Sequence, residues 1–202
     1  IGLVYNFNRE EADLTKSLVH PYVPRFPRHV SYDLVLFGSW RRKGVYVGEK
    51  QIASPGSYPV AGFNFAPMYN LNYKLRFGVS LDGVYDGSAN VYTEDALVEY
   101  DAGSGSSRRK FLVPGIQNQL ALGLSGRAEY VMPFFTIGVG LGTNVLGRGN
   151  LRGLYQVFAL KINVTRSSFL HIGYNLQDFQ TPNYLMLGLG FRFNNKYPKV
   201  RH

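Results

Sequence analysis

The stretch Tyr73-Lys74-Leu75-Arg76-Phe77-Gly78-Val79-Ser80-Leu81-Asp82-Gly83-Val84-Tyr85 alternates between two kinds of side chain. Tyr73, Leu75, Phe77, Val79, Leu81, Gly83 and Tyr85 make one apolar face with Tyr at both ends. Lys74, Arg76, Gly78, Ser80, Asp82 and Val84 make the other, charged and small. Successive residues of a strand point to opposite faces, so a period of two reads as β. A soluble strand keeps such a pattern for about five or six residues. Here it lasts about a dozen, near the length of a tilted strand that crosses a bilayer. The stretch reads as a membrane-crossing strand.

The same pattern recurs on both sides of it. Val30, Tyr32, Leu34, Leu36 and Trp40 alternate with Ser31, Asp33, Val35, Phe37 and Ser39. Ile116, Leu120, Leu122, Leu124 and Tyr130 alternate with Gln117, Gln119, Gly123, Ser125, Arg127 and Glu129. Phe135, Ile137, Val139 and Leu141 oppose Thr136, Gly138, Gly140 and Gly142, and Leu154, Phe158, Leu160, Ile162 and Val164 oppose Lys161, Asn163 and Thr165. Leu170, Ile172, Tyr174 and Leu176 oppose His171, Gly173 and Asn175. Last, Leu185, Leu187, Leu189, Phe191 and Phe193 oppose Gly188, Gly190 and Arg192. Weaker strands run near Leu3 to Phe7 and Tyr58 to Tyr69, the second interrupted by Pro59 and Pro67.

Composition supports a barrel in an outer membrane. Charged residues are 17%, against about 25% in soluble domains, while aromatics are 15% and Gly is 23 of 202. Transmembrane barrels use those residues for their girdles and interiors. Cysteine is absent, which excludes disulfides, thiolate nucleophiles and thiolate metal ligands. The longest uncharged stretch, Val131 to Gly147, contains Pro133 and falls short of the roughly 20 residues of a membrane helix.

Connection lengths set the topology. Short turns are expected at Asn70–Asn72, Val131–Pro133 and Arg166–Ser168. Long polar connections are expected at Lys43–Ser57, Asp86–Pro114, Asn144–Gly153 and Gln177–Asn183. Outer-membrane barrels have short periplasmic turns and long outer loops. The expectation is an all-β, antiparallel up-and-down barrel of about eight strands over residues 30–193. Residues 1–29 would be one extra N-terminal strand, Ile1 to Arg9, and a Pro-rich periplasmic linker, and residues 194–202 a basic tail. Because bacterial single-chain barrels have even strand counts, the extra strand leads us to expect further sequence before Ile1. An intact mature mass well above 22.7 kDa is the expected observation.

The net charge of +9 has to be placed before it is interpreted. Lys74, Arg76, Asp82, Arg127, Glu129, Lys161 and Arg192 face inward on the alternation. They should pair across a narrow lumen, because an unpaired charge away from water is costly. Arg41, Arg42, Lys43, Arg108, Arg109 and Lys110 fall in outer loops, where they could hold lipopolysaccharide phosphates or simply keep the loops solvated. Arg148 and Arg152 lie in another outer loop. These cations do not gather on one face with interleaved aromatics, which disfavours nucleic acid.

Gly138, Gly140 and Gly142 superficially suggest a nucleotide loop, but they alternate within a strand and no helix follows. They read as small inward residues that make room in the barrel. His20, His29 and His202 lie in linker or tail. His171 alone sits in a strand, facing inward, and is a weak candidate for a catalytic base against the plainer role of a satisfied interior polar residue. No His, Asp and Glu cluster has metal-site spacing, and no cofactor is expected.

The last hairpin, Phe169-Leu170-His171-Ile172-Gly173-Tyr174-Asn175, then Pro182-Asn183-Tyr184-Leu185-Met186-Leu187-Gly188 and Gly190-Phe191-Arg192-Phe193-Asn194, resembles the end of Bacteroidetes outer-membrane acyloxyacyl hydrolases, or lipid A 3-O-deacylase-like proteins. Gly38-Ser39-Trp40-Arg41-Arg42-Lys43-Gly44 and Asp82 to Asn90 are similar to that family too. The resemblance implies a barrel that removes an ester-linked acyl chain from lipid A. The family's His-x-Ser-Asn signature does not occur here, since Ile172 and Gly173 follow His171. In longer members it is expected in the half preceding this segment. Two readings follow: a structural segment of such a hydrolase in contact with outer-membrane lipid and lipopolysaccharide, or a non-enzymatic barrel subunit that docks to other outer-membrane proteins.

Overall fold

The computed structural model describes residues 25–42, 44–47, 50–53, 56–101, 106–179 and 181–196. Among the described residues twelve strands form in chain order: β1 (His29–Arg41), β2 (Gly44–Val47), β3 (Lys50–Ala53), β4 (Tyr58–Asn70), β5 (Leu75–Asp86), β6 (Tyr92–Asp101), β7 (Ser106–Leu112), β8 (Leu120–Val131), β9 (Phe135–Leu146), β10 (Leu154–Asn163), β11 (Ser168–Gln177) and β12 (Thr181–Phe193). Eight of them close into one antiparallel barrel in the order β1-β12-β11-β10-β9-β8-β5-β4. The closing seam runs from Tyr32 opposite Phe193 to Gly38 opposite Leu187. The expected extra strand, Ile1 to Arg9, lies outside the described residues.

The fold follows from a pattern that has no use in water. Leu36, Val79, Leu124, Val139, Leu141, Phe158, Leu187 and Leu189 are all about half exposed on the outer wall. A contiguous exposed apolar belt of that kind marks a membrane surface. Aromatic residues stand at its two ends. Tyr32, Tyr73 and Tyr130 lie near the short-turn end, and Trp40 and Tyr174 near the loop end. Such girdles sit at the two interfaces of a barrel.

The three short turns and both ends of the barrel lie on one side. The loops on the other side carry two hairpins of their own, β2 with β3 and β6 with β7. The sequence had suggested only polar connections there. The long connection expected at Gln177–Asn183 is shorter, because β11 runs to Gln177 and β12 already starts at Thr181. Three further boundaries differ from the sequence reading. Tyr73 and Lys74 belong to the turn before β5 rather than to the strand. Ile116–Asn118 forms a single 3-10 turn after the Pro114-Gly115 break, so β8 starts at Leu120. His29 opens β1, where it is buried and its ring bonds the carbonyl of Pro27 at 2.6 Å.

The segment with two prolines is a full strand. β4 pairs with β1 along its whole length, from His29 opposite Asn70 to Arg41 opposite Tyr58. Its ladder with β5 pairs Phe65 with Leu81 and then Met68 with Gly78, skipping Ala66 and Pro67. Proline has no N–H to give a ladder, so a gap on one side accommodates it while the other side holds.

Candidate functional site

Inside the barrel the alternation delivers charge instead of hydrocarbon. Asp33, on β1 and 1% exposed, is the centre of the half nearer the short turns. Arg76 on β5 reaches its Oδ1 at 3.0 Å, Lys161 on β10 its Oδ2 at 2.8 Å, and Arg192 on β12 its Oδ1 at 2.9 Å. Glu129 on β8 takes the other side of Lys161 at 2.5 Å and of Arg76 at 3.3 Å. Phe169 lies under the two remaining faces of this cluster, 5.0 Å from Lys161 Nζ and 5.2 Å from the Arg192 guanidinium carbon. Both distances fall within cation–π reach. Three cations share two carboxylates, so the cluster is one charge short of neutral. The mutual pairing is what makes such burial tolerable.

A second cluster fills the half nearer the loops. Asp82 on β5 accepts both Nη2 contacts of Arg127, at 2.9 and 3.0 Å. It also accepts from Ser80 at 2.6 Å, Ser125 at 2.6 Å, Tyr155 at 2.7 Å and Asn64 at 2.7 Å. This carboxylate is fully engaged.

The glycines of β9 give these side chains their space. Gly138, Gly140 and Gly142 stand opposite Glu129, Arg127 and Ser125. A Cβ at Gly140 would lie 2.7 Å from Arg127 Cδ, and one at Gly142 would lie 2.6 Å from the Tyr155 ring. Each small residue admits a large polar one.

At the outer rim, Arg41 donates through Nη1 to Asp86 at 3.1 Å and also to Asn183. Asp86 in turn accepts from the backbone and hydroxyl of Ser88 at 2.8 and 2.7 Å. Asn183 donates to Asn175 at 3.0 Å, tying β12 to β11.

Of the residues singled out from the sequence, Arg76, Asp82, Arg127, Glu129, Lys161 and Arg192 meet in the lumen. Lys74 does not: it lies exposed in the turn, because β5 begins one residue later. Arg42 is exposed, whereas Arg41 is half-buried and already held by Asp86. Lys43 lies outside the described residues, and so do the side chains of Arg108, Arg109 and Lys110. His171 is 2% exposed, and neither ring nitrogen has a hydrogen-bond partner among the described residues. It lines a void of about 20 Å³ together with Asp33, Ser80, Arg127, Glu129 and Lys161.

Sequence reasoning missed Asp33, the hub of the lower cluster. Its parity with Ser31 and Val35 places it inside. Tyr155 and Asp86 were missed as well, although each shares the inward parity of its strand, Tyr155 with Lys161 and Asp86 with Asp82.

The sequence profile of the acyloxyacyl hydrolase C-terminal domain matches residues 30–195, which is the barrel and little else. The chain belongs to this family. No curated protein matches the hydrolase-family barrel. Among solved structures it is similar to Ail, the attachment invasion locus protein of Yersinia pestis, crystallised with the heparin analogue sucrose octasulfate. That match has 15% identity and a TM-score of 0.42, over 83% of this chain and 100% of Ail. It is also similar to the Neisserial surface protein A, at 16% identity and a TM-score of 0.36, over 82% of this chain and 95% of that one. The acyloxyacyl hydrolase barrel is an integral protein of the bacterial outer membrane, with its apolar wall against lipid.

Proposed function

We propose that this acyloxyacyl hydrolase barrel is a closed, structural member of its family: it engages lipopolysaccharide from its outer rim and does not itself cleave the acyl ester. The filled lumen supports this reading above all. Asp33 and Asp82 gather cations, hydroxyls and an amide from β4, β5, β8, β10 and β12, and two interior voids lined by described residues are each about 20 Å³. A void that size holds a water or two, not a column of hydrated ions. Porins conduct through a water-filled lumen, and this barrel has none among its described residues.

The hydrolytic part of the reading rests on His171. A base that activates a hydroxyl must sit within about 2.6–3.2 Å of it, and among the described residues His171 engages no hydroxyl. Gly173 stands where the family signature implied by resemblance carries Ser. Lipopolysaccharide contact is assigned to the cationic loops. Arg42, Lys43, Arg108, Arg109 and Lys110 would pair with its phosphates, and Arg41, already neutralised by Asp86, would hold the rim in place.

Two measurements test the proposal. In planar bilayers the purified protein should show no unitary conductance, and a stepwise current would overturn the closed barrel. With lipopolysaccharide it should bind in a salt-sensitive manner and release no hydroxy-acyl chains. Release that is abolished in His171→Ala would return the base role to His171 and sink the structural reading.

A further inference from the structure

We infer that the barrel mouth at the short turns is a binding site for an oxyanion, a carboxylate or phosphate, carried on a periplasmic molecule with an apolar part beside that group. The inference is independent of any contact with lipopolysaccharide at the loops.

The site is made by the ring of turns. A cavity of about 830 Å³ lies there, within the roughly 300–1,000 Å³ of small-ligand sites. All three short turns line it, through Lys74 between β4 and β5, Pro133 between β8 and β9, and Arg166 between β10 and β11. Phe26, just before β1, and Lys196, just after β12, complete the ring. Residues from all round the barrel order share this one space, so it lies across the mouth and not along the lipid-facing wall. Short turns of outer-membrane barrels face the periplasm.

The charge of this cavity is one-sided. Lys74, Arg166 and Lys196 stand exposed at its rim, Arg76 and Arg192 form its floor, and no carboxylate lines it. Neither Lys74 nor Lys196 has an ion-pair partner among the described residues. Asp33 and Glu129 are the only carboxylates in this half of the described barrel, and Arg76, Lys161 and Arg192 already share them. Exposed lysines alone would be an ordinary surface. What sets the mouth apart is the excess positive charge buried beneath it. Arg192 cannot carry its share away, because it bonds Asp33 at 2.9 and 3.2 Å and lies 5.2 Å from the Phe169 ring. A cleft with low-dielectric walls and charge of one sign concentrates the opposite ion, and an oxyanion seated here would neutralise the cluster from its open side.

The same cavity has an apolar flank. Phe26, Met132, Pro133 and Val164 line it, with Val164 61% exposed and Phe26 set edge-on against Tyr73 at 4.9 Å. A bare inorganic ion would leave that flank in water. A carboxylate or phosphate joined to a hydrocarbon or aromatic group would cover it, and that added burial favours such a ligand.

The test is titration calorimetry on the full chain in neutral maltoside micelles at low salt. The probes are N-acetylglycyl-phenylalanine, its C-terminal amide, phenyl phosphate and inorganic phosphate. One equivalent of the peptide acid or of phenyl phosphate should bind, the tighter of the two identifying the oxyanion. The amide and inorganic phosphate should each bind at least tenfold more weakly. The double variant Lys74→Gln/Lys196→Gln, both at exposed positions, should keep the folded gel mobility and lose about tenfold in affinity. Arg148→Gln/Arg152→Gln, at the loop end, should bind like wild type. An amide that binds as tightly as its acid would overturn the oxyanion site, and equal binding of inorganic phosphate would overturn its apolar half. Affinity kept by the turn-side variant and lost by the loop-side one would overturn the placement at the mouth.

Discussion

Replacing Asp33 by Ala should destabilise the barrel more than any other single change in its lumen. The carboxylate holds Arg76, Lys161 and Arg192 at 3.0, 2.8 and 2.9 Å, and it is 1% exposed. Without it, Glu129 alone faces three cations, so the excess charge of the cluster rises from one to two. Removing one partner of a buried ion pair costs about 3–5 kcal/mol, because what remains is an uncompensated charge and not an empty space. The cations also cannot turn away, since Arg76 and Lys161 are held by Glu129 and Arg192 lies over Phe169. Urea titration of the refolded protein in detergent micelles should show a lower midpoint, and heating should convert it to the unfolded gel mobility earlier. Asp33→Asn, which keeps the acceptor oxygen but not the charge, should fall between the two. An Asp33→Ala variant as stable as wild type would mean that the lumen admits enough water to solvate the cations. That result would also reopen the question of conductance.

The barrel itself was legible because its physics is periodic. Val30 to Trp40 and Leu185 to Phe193 show their outward faces in the sequence, and the seam that joins them follows from closing an even number of strands. β4 was harder, because Pro59 and Pro67 break the local signal. Only the partner strand β1 reveals that the ladder survives on one side. The lumen was half legible. Parity gave Arg76, Arg127, Glu129, Lys161 and Arg192, but not which opposite charge each would meet. Pairing depends on the stagger of strands around the barrel, and no single strand carries that information. Gln156 was invisible for a related reason. In sequence it is a polar residue in an apolar face, and only the path of the loop through Phe179 shows it covered. The outer hairpins, β2 with β3 and β6 with β7, lack the strict alternation that a bilayer enforces, so they read as plain polar loops.

Gly188→Ala should impair closure of the barrel, although it adds a single methyl group. Gly188 stands opposite Phe37 on the seam between β12 and β1. An added Cβ would lie 1.9 Å from the Leu36 carbonyl oxygen and 2.7 Å from the Phe37 Cα. Both are backbone atoms of the strand that completes the circle, so no side-chain rotation can relieve the contact. The seam would have to widen there, straining ladder hydrogen bonds that a bilayer cannot replace with water. Overpacking of this kind costs about 1–3 kcal/mol, and more where backbone must move. The protein carries its own reporter, because its single Trp is Trp40, on β1 and 79% exposed on the wall. Refolding into vesicles should shift Trp40 emission to the blue in wild type as β1 inserts, and Gly188→Ala should leave a fraction unshifted at the same lipid ratio. Gly126→Ala, whose methyl group meets only the Leu141 oxygen at 4.0 Å, should insert like wild type. If the two variants insert equally well, the seam is looser than its geometry implies, and closure must be secured by the Asp33 cluster that bridges β1 to β12 through Arg192.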